Sequence, residues 1–277
     1  MKKIIILLLI ITSCGKSNSK EREVNKPKNN SELTFNLIAH RGGVVTISTN
    51  PENSLGALKE AINKEYKMVE IDIRSTLDGV PIIHHDSVLA HLNKGEVKLV
   101  SALKLNEIQN IKITNKELMP YTLEEFVKTS NGNIGFLLDF KGNYPDEFYE
   151  KCIDILKVNN ISNVKIAWSK KAKEIFSKKN YGKIGLNYSS FEKASLTSTF
   201  LKEDYFLLIS AFDYNVDLIN KAISLDLEIV VSVNLWKYGQ RGITNTNIIK
   251  IDVDKMIMSG VKSFLIDSDL EFLFNKN

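Results

Sequence analysis

Met68-Val69-Glu70-Ile71-Asp72-Ile73 is the stretch on which the reading of this chain turns. Its apolar residues suit a buried strand, and Glu70 and Asp72, two positions apart, project from one face of it. Two carboxylates aimed the same way repel unless a positive group lies between them. A hard divalent cation with oxygen ligands, Mg²⁺ or Ca²⁺, would serve, and so would an ion network with Lys or Arg.

Working outward, seven more short β-rich runs surround this one: Leu33–His40, Ile134–Phe140, Val164–Trp168, Lys183–Tyr188, Tyr205–Phe212, Glu228–Val233 and Ser263–Asp267. Several are continuously apolar, as strands covered on both faces should be. Amphipathic stretches separate them. Ser54–Tyr66 sets Leu55, Leu58 and Ile62 on one face, and Asp217–Leu225 does the same with Leu218, Ile219 and Ala222. Eight β/α units predict an α/β fold, a (β/α)8 TIM barrel in one domain over residues 34–277. Periodicity alone also admits a doubly wound open sheet. Asp86 to Glu117 has no strong strand and reads as a small excursion after the second β/α unit. It is expected to hold a hairpin that includes Ile82–His85 and a short helix around Ala102–Ile108.

In such a barrel the strand C-termini face the active-site mouth. His40 and Arg41 end the first run, Glu70 and Asp72 the second, and Asp139 and Lys141 the third. The four histidines, at 40, 84, 85 and 91, all lie in the first third of the chain. Strand alternation turns only one of His84 and His85 inward, and His91 has no partner motif. Imidazoles titrate near neutrality, and beside a carboxylate-held metal they form a set able to cut a phosphodiester. Plainer readings stand beside this one. His40 also suits a satisfied strand end, and Asn53 or Ser54 in Pro51-Glu52-Asn53-Ser54 suits a helix N-cap. Asp267-Ser268-Asp269 reads as a helix start or loop element.

The bulk properties narrow the partners. Apolar content of 43% and charged content of 25% are those of an ordinary globular chain. Of the formal charge of +4, Lys2 and Lys3 contribute half and segment 15–34 the rest, so the body is close to neutral. That leaves no basic field for a nucleic-acid backbone. Lys2-Lys3 and the apolar Ile4–Ile11 read as an export signal, with an apolar core too short to span a bilayer. Ile11-Thr12-Ser13-Cys14 resembles the bacterial lipobox, which implies cleavage after residue 13 and a lipid anchor on Cys14. Two or more acyl chains at about 0.8 kcal/mol per buried methylene anchor stably. The polar residues 14–33 then form a tether, and the protein is expected in the bacterial envelope, exported and membrane-anchored. Cys152, the only other thiol, is expected inside a helix.

His40-Arg41-Gly42, Pro51-Glu52-Asn53-Ser54, Glu70-Ile71-Asp72, Asp78-Gly79 and His85-Asp86 together resemble the glycerophosphodiester phosphodiesterase family. The likeness continues through Pro120–Glu125, Asp139-Phe140-Lys141, Ser232-Val233-Asn234 and Gly260-Val261 with Asp267, and covers nearly all of residues 35–272. It implies metal-dependent hydrolysis of glycerophosphodiesters to sn-glycerol 3-phosphate and an alcohol on a TIM barrel. Glu70, Asp72 and Asp139 would hold one divalent metal with Glu52 nearby, and His40 and His85 would be the acid–base pair. Arg41 and Lys141 would bind the phosphate, with Asn53 among the substrate contacts. The family pattern, which sets its histidine directly before Asp, favours His85 over His84.

Three departures are visible. Asp139 stands where the family has Glu, the interval Gly43–Asn50 is long, and Val231 stands where the family has a tryptophan in strand seven. Loss of that tryptophan would remove an aromatic wall, with Trp236 as a substitute. The same site could act on intact lipids or on sugar or teichoic phosphodiesters. A non-catalytic ligand-binding lipoprotein is a third reading, and the retained His40, His85, Glu70 and Asp72 count against it. The expected partners are a small-molecule substrate and a membrane, with the chain a monomer or simple homo-oligomer.

Overall fold

Each of the eight apolar runs becomes a strand, and all but the first are buried along most of their length, as continuous apolar runs require. The computed structural model describes residues 34–46, 49–90, 96–111 and 119–274. The expectations for the export signal, Cys14, the tether and His91 lie outside the described residues.

The first half of the chain runs β1 (Asn36–Ala39), α1 (Leu55–Asn63), β2 (Met68–Ser75), β3 (Pro81–Ile83), β4 (Val88–Leu89), β5 (Lys98–Leu99), α2 (Leu105–Gln109), β6 (Tyr121–Thr122), α3 (Leu123–Ser130) and β7 (Gly135–Phe140). The second half runs α4 (Asp146–Val158), β8 (Val164–Ile166), α5 (Lys170–Lys178), β9 (Lys183–Leu186), α6 (Tyr188–Ala194), β10 (Tyr205–Ser210), α7 (Val216–Ser224), β11 (Ile229–Val233), α8 (Leu235–Gly239), α9 (Thr246–Met258) and β12 (Ser263–Ile266).

Strands β1, β2, β7, β8, β9, β10, β11 and β12 pair in parallel in that order, and β12 pairs back onto β1. The sheet is therefore a closed eight-stranded barrel, and the open-sheet alternative is excluded. Alternation sorts the strand residues into two layers. Ile38, Met68, Leu137, Phe206, Val230 and Leu265 fill the barrel interior. Ile71, Phe136 and Val231 face outward onto helix residues such as Leu58, Phe126 and Tyr149.

Val231 is fully buried in that outer layer. Its small side chain therefore takes no wall from the mouth, which corrects the expectation built on it. A one-residue step decides which face a strand residue serves. The neighbours Val230 and Ser232 are the inward positions of β11.

Helix starts follow their local chemistry. The Ser54 hydroxyl accepts from the Ala57 amide and caps α1, while Thr122 and Glu125 form a reciprocal capping box on α3. Cys152 is buried on α4. The excursion leaves from the end of β2 and returns into α3, so it lies inside the second unit rather than after it. There β3 pairs antiparallel with β2 and β6, and β4 pairs with β5. A small core of Ile82, Leu89, Val100 and Ile108 holds it together. The Asp78 carboxylate ties its base by accepting from the Thr76 hydroxyl at 2.6 Å and the Leu105 amide at 3.0 Å.

Candidate active site

The acidic cluster follows from strand register. Asp72 on β2 lies opposite Asp139 on β7, and Glu70 lies two residues below Asp72 on the same face. One carboxylate oxygen from each of Glu70, Asp72 and Asp139 lies within 4.8 Å of the other two, and all three residues are buried. Lys141 reaches across them, its Nζ 2.9 Å from Asp72 Oδ1 and 2.5 Å from Asp139 Oδ2.

Their proton affinities diverge with their surroundings. Burial, with the charges of Asp72 and Asp139 adding to it, pushes Glu70 well above the usual carboxylate range. Burial likewise raises Asp139 against the pull of Lys141. Asp72 is pushed up by burial too, yet Lys141 and the Asn53 amide outweigh that and hold it below its ordinary value. Among the described residues of the site, Glu70 Oε1 and Asn53 Oδ1 are buried without a donor, and Asp72 Oδ1 has the Lys141 ion pair but no hydrogen bond. Unsatisfied buried acceptors are costly, and three clustered carboxylates with one ammonium carry excess negative charge. An all-oxygen donor set of this kind fits a hard divalent cation.

The loop after β1 is folded tightly against this cluster. The Arg41 amide donates to Glu70 Oε2 at 2.8 Å, the Gly42 amide to the Glu70 carbonyl at 2.6 Å, and the Asn53 amide to the Arg41 carbonyl at 2.7 Å. Gly42 has φ +86°, and a Cβ there would come within 2.6 Å of Asn53 Cα. Only glycine suits that position. Asn53, expected on the phosphate, instead donates its side-chain amide to Asp72 Oδ2 at 2.9 Å, and Ser54 rather than Asn53 caps the helix. Glu52, expected beside the metal, pairs with the Arg41 guanidinium and is not one of the three clustered carboxylates.

The two imidazoles reach the same mouth from different sides. His40 Nδ1 lies 2.5 Å from Asp267 Oδ1, and its Nε2 points toward Glu70 Oε2 at 3.9 Å. The other oxygen of Asp267 accepts from the Leu235 amide at 2.7 Å. Burial works against the Asp267 charge, but the His40 contact and the Leu235 amide hold its carboxyl below the ordinary range. His85 Nδ1 lies 2.8 Å from Asp86 Oδ1, and its Nε2 faces Arg41 Nη2 at 3.5 Å. His84 does not enter the site. Its ring Nε2 lies 3.0 Å from the Val88 carbonyl, and burial lowers its proton affinity.

Three residues act here that the sequence left without a role. Asp267 orients His40. Asn234 caps α8 through Oδ1 while its Nδ2 lies 3.4 Å from His40 Nδ1. Arg74 bonds the main chain at both His85 and Lys141. Asp267 was visible as a strand-end acid but read as a loop element. It does precede a short 3₁₀ turn, yet its side chain caps nothing there. A cleft of about 630 Å³ opens beside His40 and Arg41, with Val45, Thr46, Leu235, Trp236 and Asp269 along it.

A closed parallel barrel whose mouth gathers three carboxylates, two imidazoles, Arg41 and Lys141 defines the class of protein, a (β/α)8 barrel with its charged candidate site at the strand ends. The model of the glycerophosphoryl diester phosphodiesterase family matches residues 40–239, and the chain belongs to that family. Glycerophosphodiester phosphodiesterase 1 of Bos taurus is 31% identical over 128 residues, covering 43% of this chain and 37% of the relative. The chain thus spans roughly two fifths of the length of such curated relatives. Among solved structures, a glycerophosphodiester phosphodiesterase from Agrobacterium tumefaciens superposes with a TM-score of 0.66 at 16% identity, covering 87% of this chain and 99% of that one. A phosphodiesterase of Oleispira antarctica in complex with the product sn-glycerol-3-phosphate gives 0.65 at 18%, covering 88% and 98%.

Proposed function

We propose that this chain hydrolyses glycerophosphodiesters to sn-glycerol 3-phosphate and an alcohol. The observation that carries the reading is the convergence of His40, His85 and Arg41 on the mouth that Glu70, Asp72 and Asp139 line. A divalent cation held by Glu70, Asp72 and Asp139 would supply Lewis-acid polarisation of a phosphoryl oxygen. The remaining work falls to this chain's own side chains. Arg41 offers a planar fork to the phosphate oxygens, and Lys141, with two of its N–H groups turned to carboxylates, has a third to offer.

The histidines divide the proton transfers. His85 Nδ1–H donates to Asp86, which leaves Nε2 as an acceptor facing the Arg41 guanidinium. That nitrogen takes the proton of the attacking hydroxyl as the new P–O bond forms. His40, held by Asp267, gives the proton from Nε2 to the departing alkoxide as the old P–O bond breaks. The attacking hydroxyl belongs to water or to the glycerol 2-position, in which case a cyclic phosphate forms and water opens it in a second turn.

The test is release of sn-glycerol 3-phosphate from glycerophosphocholine and glycerophosphoethanolamine by the full chain. Turnover should vanish with EDTA and return with Mg²⁺ or Ca²⁺. The same ions should raise the melting temperature of the chelated protein, because they bind only the folded cluster. Absence of turnover by folded, metal-loaded protein would overturn the reading. Trp236, 65% exposed along the cleft, supports a second substrate, an intact lipid. Faster cleavage of lysophosphatidylcholine than of glycerophosphocholine would favour it.

The envelope location and the lipid on Cys14 belong to the same proposal, on the strength of the lipobox-like residues 11–14. Among the described residues no helix is long and apolar enough to cross a membrane. Metabolic labelling with a radioactive fatty acid that is lost in Cys14→Ala tests the anchor.

A further inference from the structure

Arg74 sends its guanidinium to main-chain oxygens at the edge of the site. It stands two residues beyond Asp72, where β2 has run past the closed barrel and pairs with β3 opposite Ile82. Nε and Nη2 donate to the His85 carbonyl at 2.9 and 2.6 Å, and Nη1 donates to the Lys141 carbonyl at 3.0 Å. The side chain is half-buried.

Those two carbonyls belong to segments that leave different strands. His85 follows β3 on the excursion, and Lys141 follows β7 of the barrel. Strand β2 already holds each segment by its main chain, through the His84 amide on the Asp72 carbonyl at 2.9 Å and the Lys141 amide on the Ile73 carbonyl at 3.0 Å. Above these bonds the Arg74 fork is the one side chain among the described residues seen to hydrogen-bond both segments at once. A guanidinium is planar and rigid, so its donors fix the separation of their acceptors in a way a lysine head does not.

We propose that Arg74 is a positioning residue that sets His85 relative to Lys141, so that the imidazole of the excursion and the ammonium of the barrel address one phosphate. This rests on the proposed phosphodiesterase reading. A displacement of about 1 Å in a reacting group costs about a hundredfold in rate, which sets the expected size of the effect.

The experiment uses the full, metal-loaded chain with glycerophosphocholine. Arg74→Met should lower kcat about 10²-fold and leave KM within about threefold. Guanidinium ion at millimolar concentration should restore about tenfold of the loss, and Arg74→Lys should stay low. Adding Arg74→Met to His85→Ala should cost less than about threefold, because the residue it positions is already gone. Full additivity, or a loss that only follows the folded fraction by circular dichroism, would overturn the proposal. If the wild-type chain shows no turnover, the functional reading fails and amide exchange decides on Arg74. Exchange should accelerate at residues 84–88 and 141–144 in Arg74→Met, or in Arg74→Lys should the first variant not fold. Unchanged exchange at both segments would overturn the assignment.

Discussion

His40 ends a barrel strand and turns Nδ1 to Asp267, whose side chain is 23% exposed and is gripped a second time by the Leu235 amide. His85 sits on the excursion and turns Nδ1 to Asp86, whose side chain is 63% exposed and adjacent in sequence. In both pairs an imidazole helps hold its aspartate below the ordinary range: for Asp267 against opposing burial, for Asp86 through the His85 bond first. Yet water competes for Asp86 and much less for Asp267. Both histidines are anchored by main chain, His40 through its amide on the Ile266 carbonyl at 3.0 Å and His85 through the neighbouring His84 amide. The His40 ring gains a shielded side-chain grip, whereas His85 gains the Arg74 fork on its carbonyl. One fold holds two like groups by unlike means, and the difference is open to experiment.

The largest effect should be the same on both sides. His40→Ala and His85→Ala each remove a proton-transfer group, and each should lower kcat about 10²–10⁴-fold with the barrel still folded. Unequal losses would show that one transfer limits the rate. The supporting carboxylates should then separate the two arms. Asp267→Asn leaves His40 in the wrong tautomer or unheld and should cost about 10–10²-fold in kcat. Asp86→Asn, where solvent replaces the carboxylate, should cost less than about threefold. Equal losses at the two positions would break the contrast.

Stability should follow the same contrast with pH. The folded Asp267 binds its proton more weakly than the unfolded chain does, so stability rises with pH across the interval between the two values. Its contribution is complete above the ordinary aspartate range and is lost as the pH falls through the depressed folded value. Asp267→Asn should therefore lower the melting temperature at neutral pH and converge on the wild type in acid. Asp86→Asn should show the same trend at a much smaller amplitude, because the Asp86 carboxyl is also held low but is 63% exposed. Thermal melts over a series of acid buffers read both.

Most of this architecture was written locally. Eight apolar runs specify eight strands because each run must be covered on both faces, and the i, i+2 spacing of Glu70 and Asp72 aims both inward whatever the rest does. What depends on register between distant segments was not legible. Asp267 meets His40 across 227 positions, and Asn234 across 194. Arg74 acts through carbonyls, which every residue carries, so its composition announces nothing. Asn53 and Glu52 were placed in the right loop, but their partners, Asp72 and Arg41, depend on how the tight turn at Gly42 folds that loop back.

Val231 and Trp236 give the smallest and most local form of the same lesson. Five residues apart, they were linked as a lost aromatic wall and its substitute, but one faces the helices and the other the cleft. Val231→Trp would force an indole into a packed layer where the present side chain is fully buried. It should cost about 1–3 kcal/mol of stability and should not tighten substrate binding. Trp236→Ala removes a side chain that is 65% exposed, so the melting temperature should stay where it is. Its effect should appear in KM alone, a rise of about two- to fivefold that is larger for substrates with bulky alcohol groups. An unchanged KM across a series of head groups would mean that the alcohol leaves by another side of the mouth, away from α8.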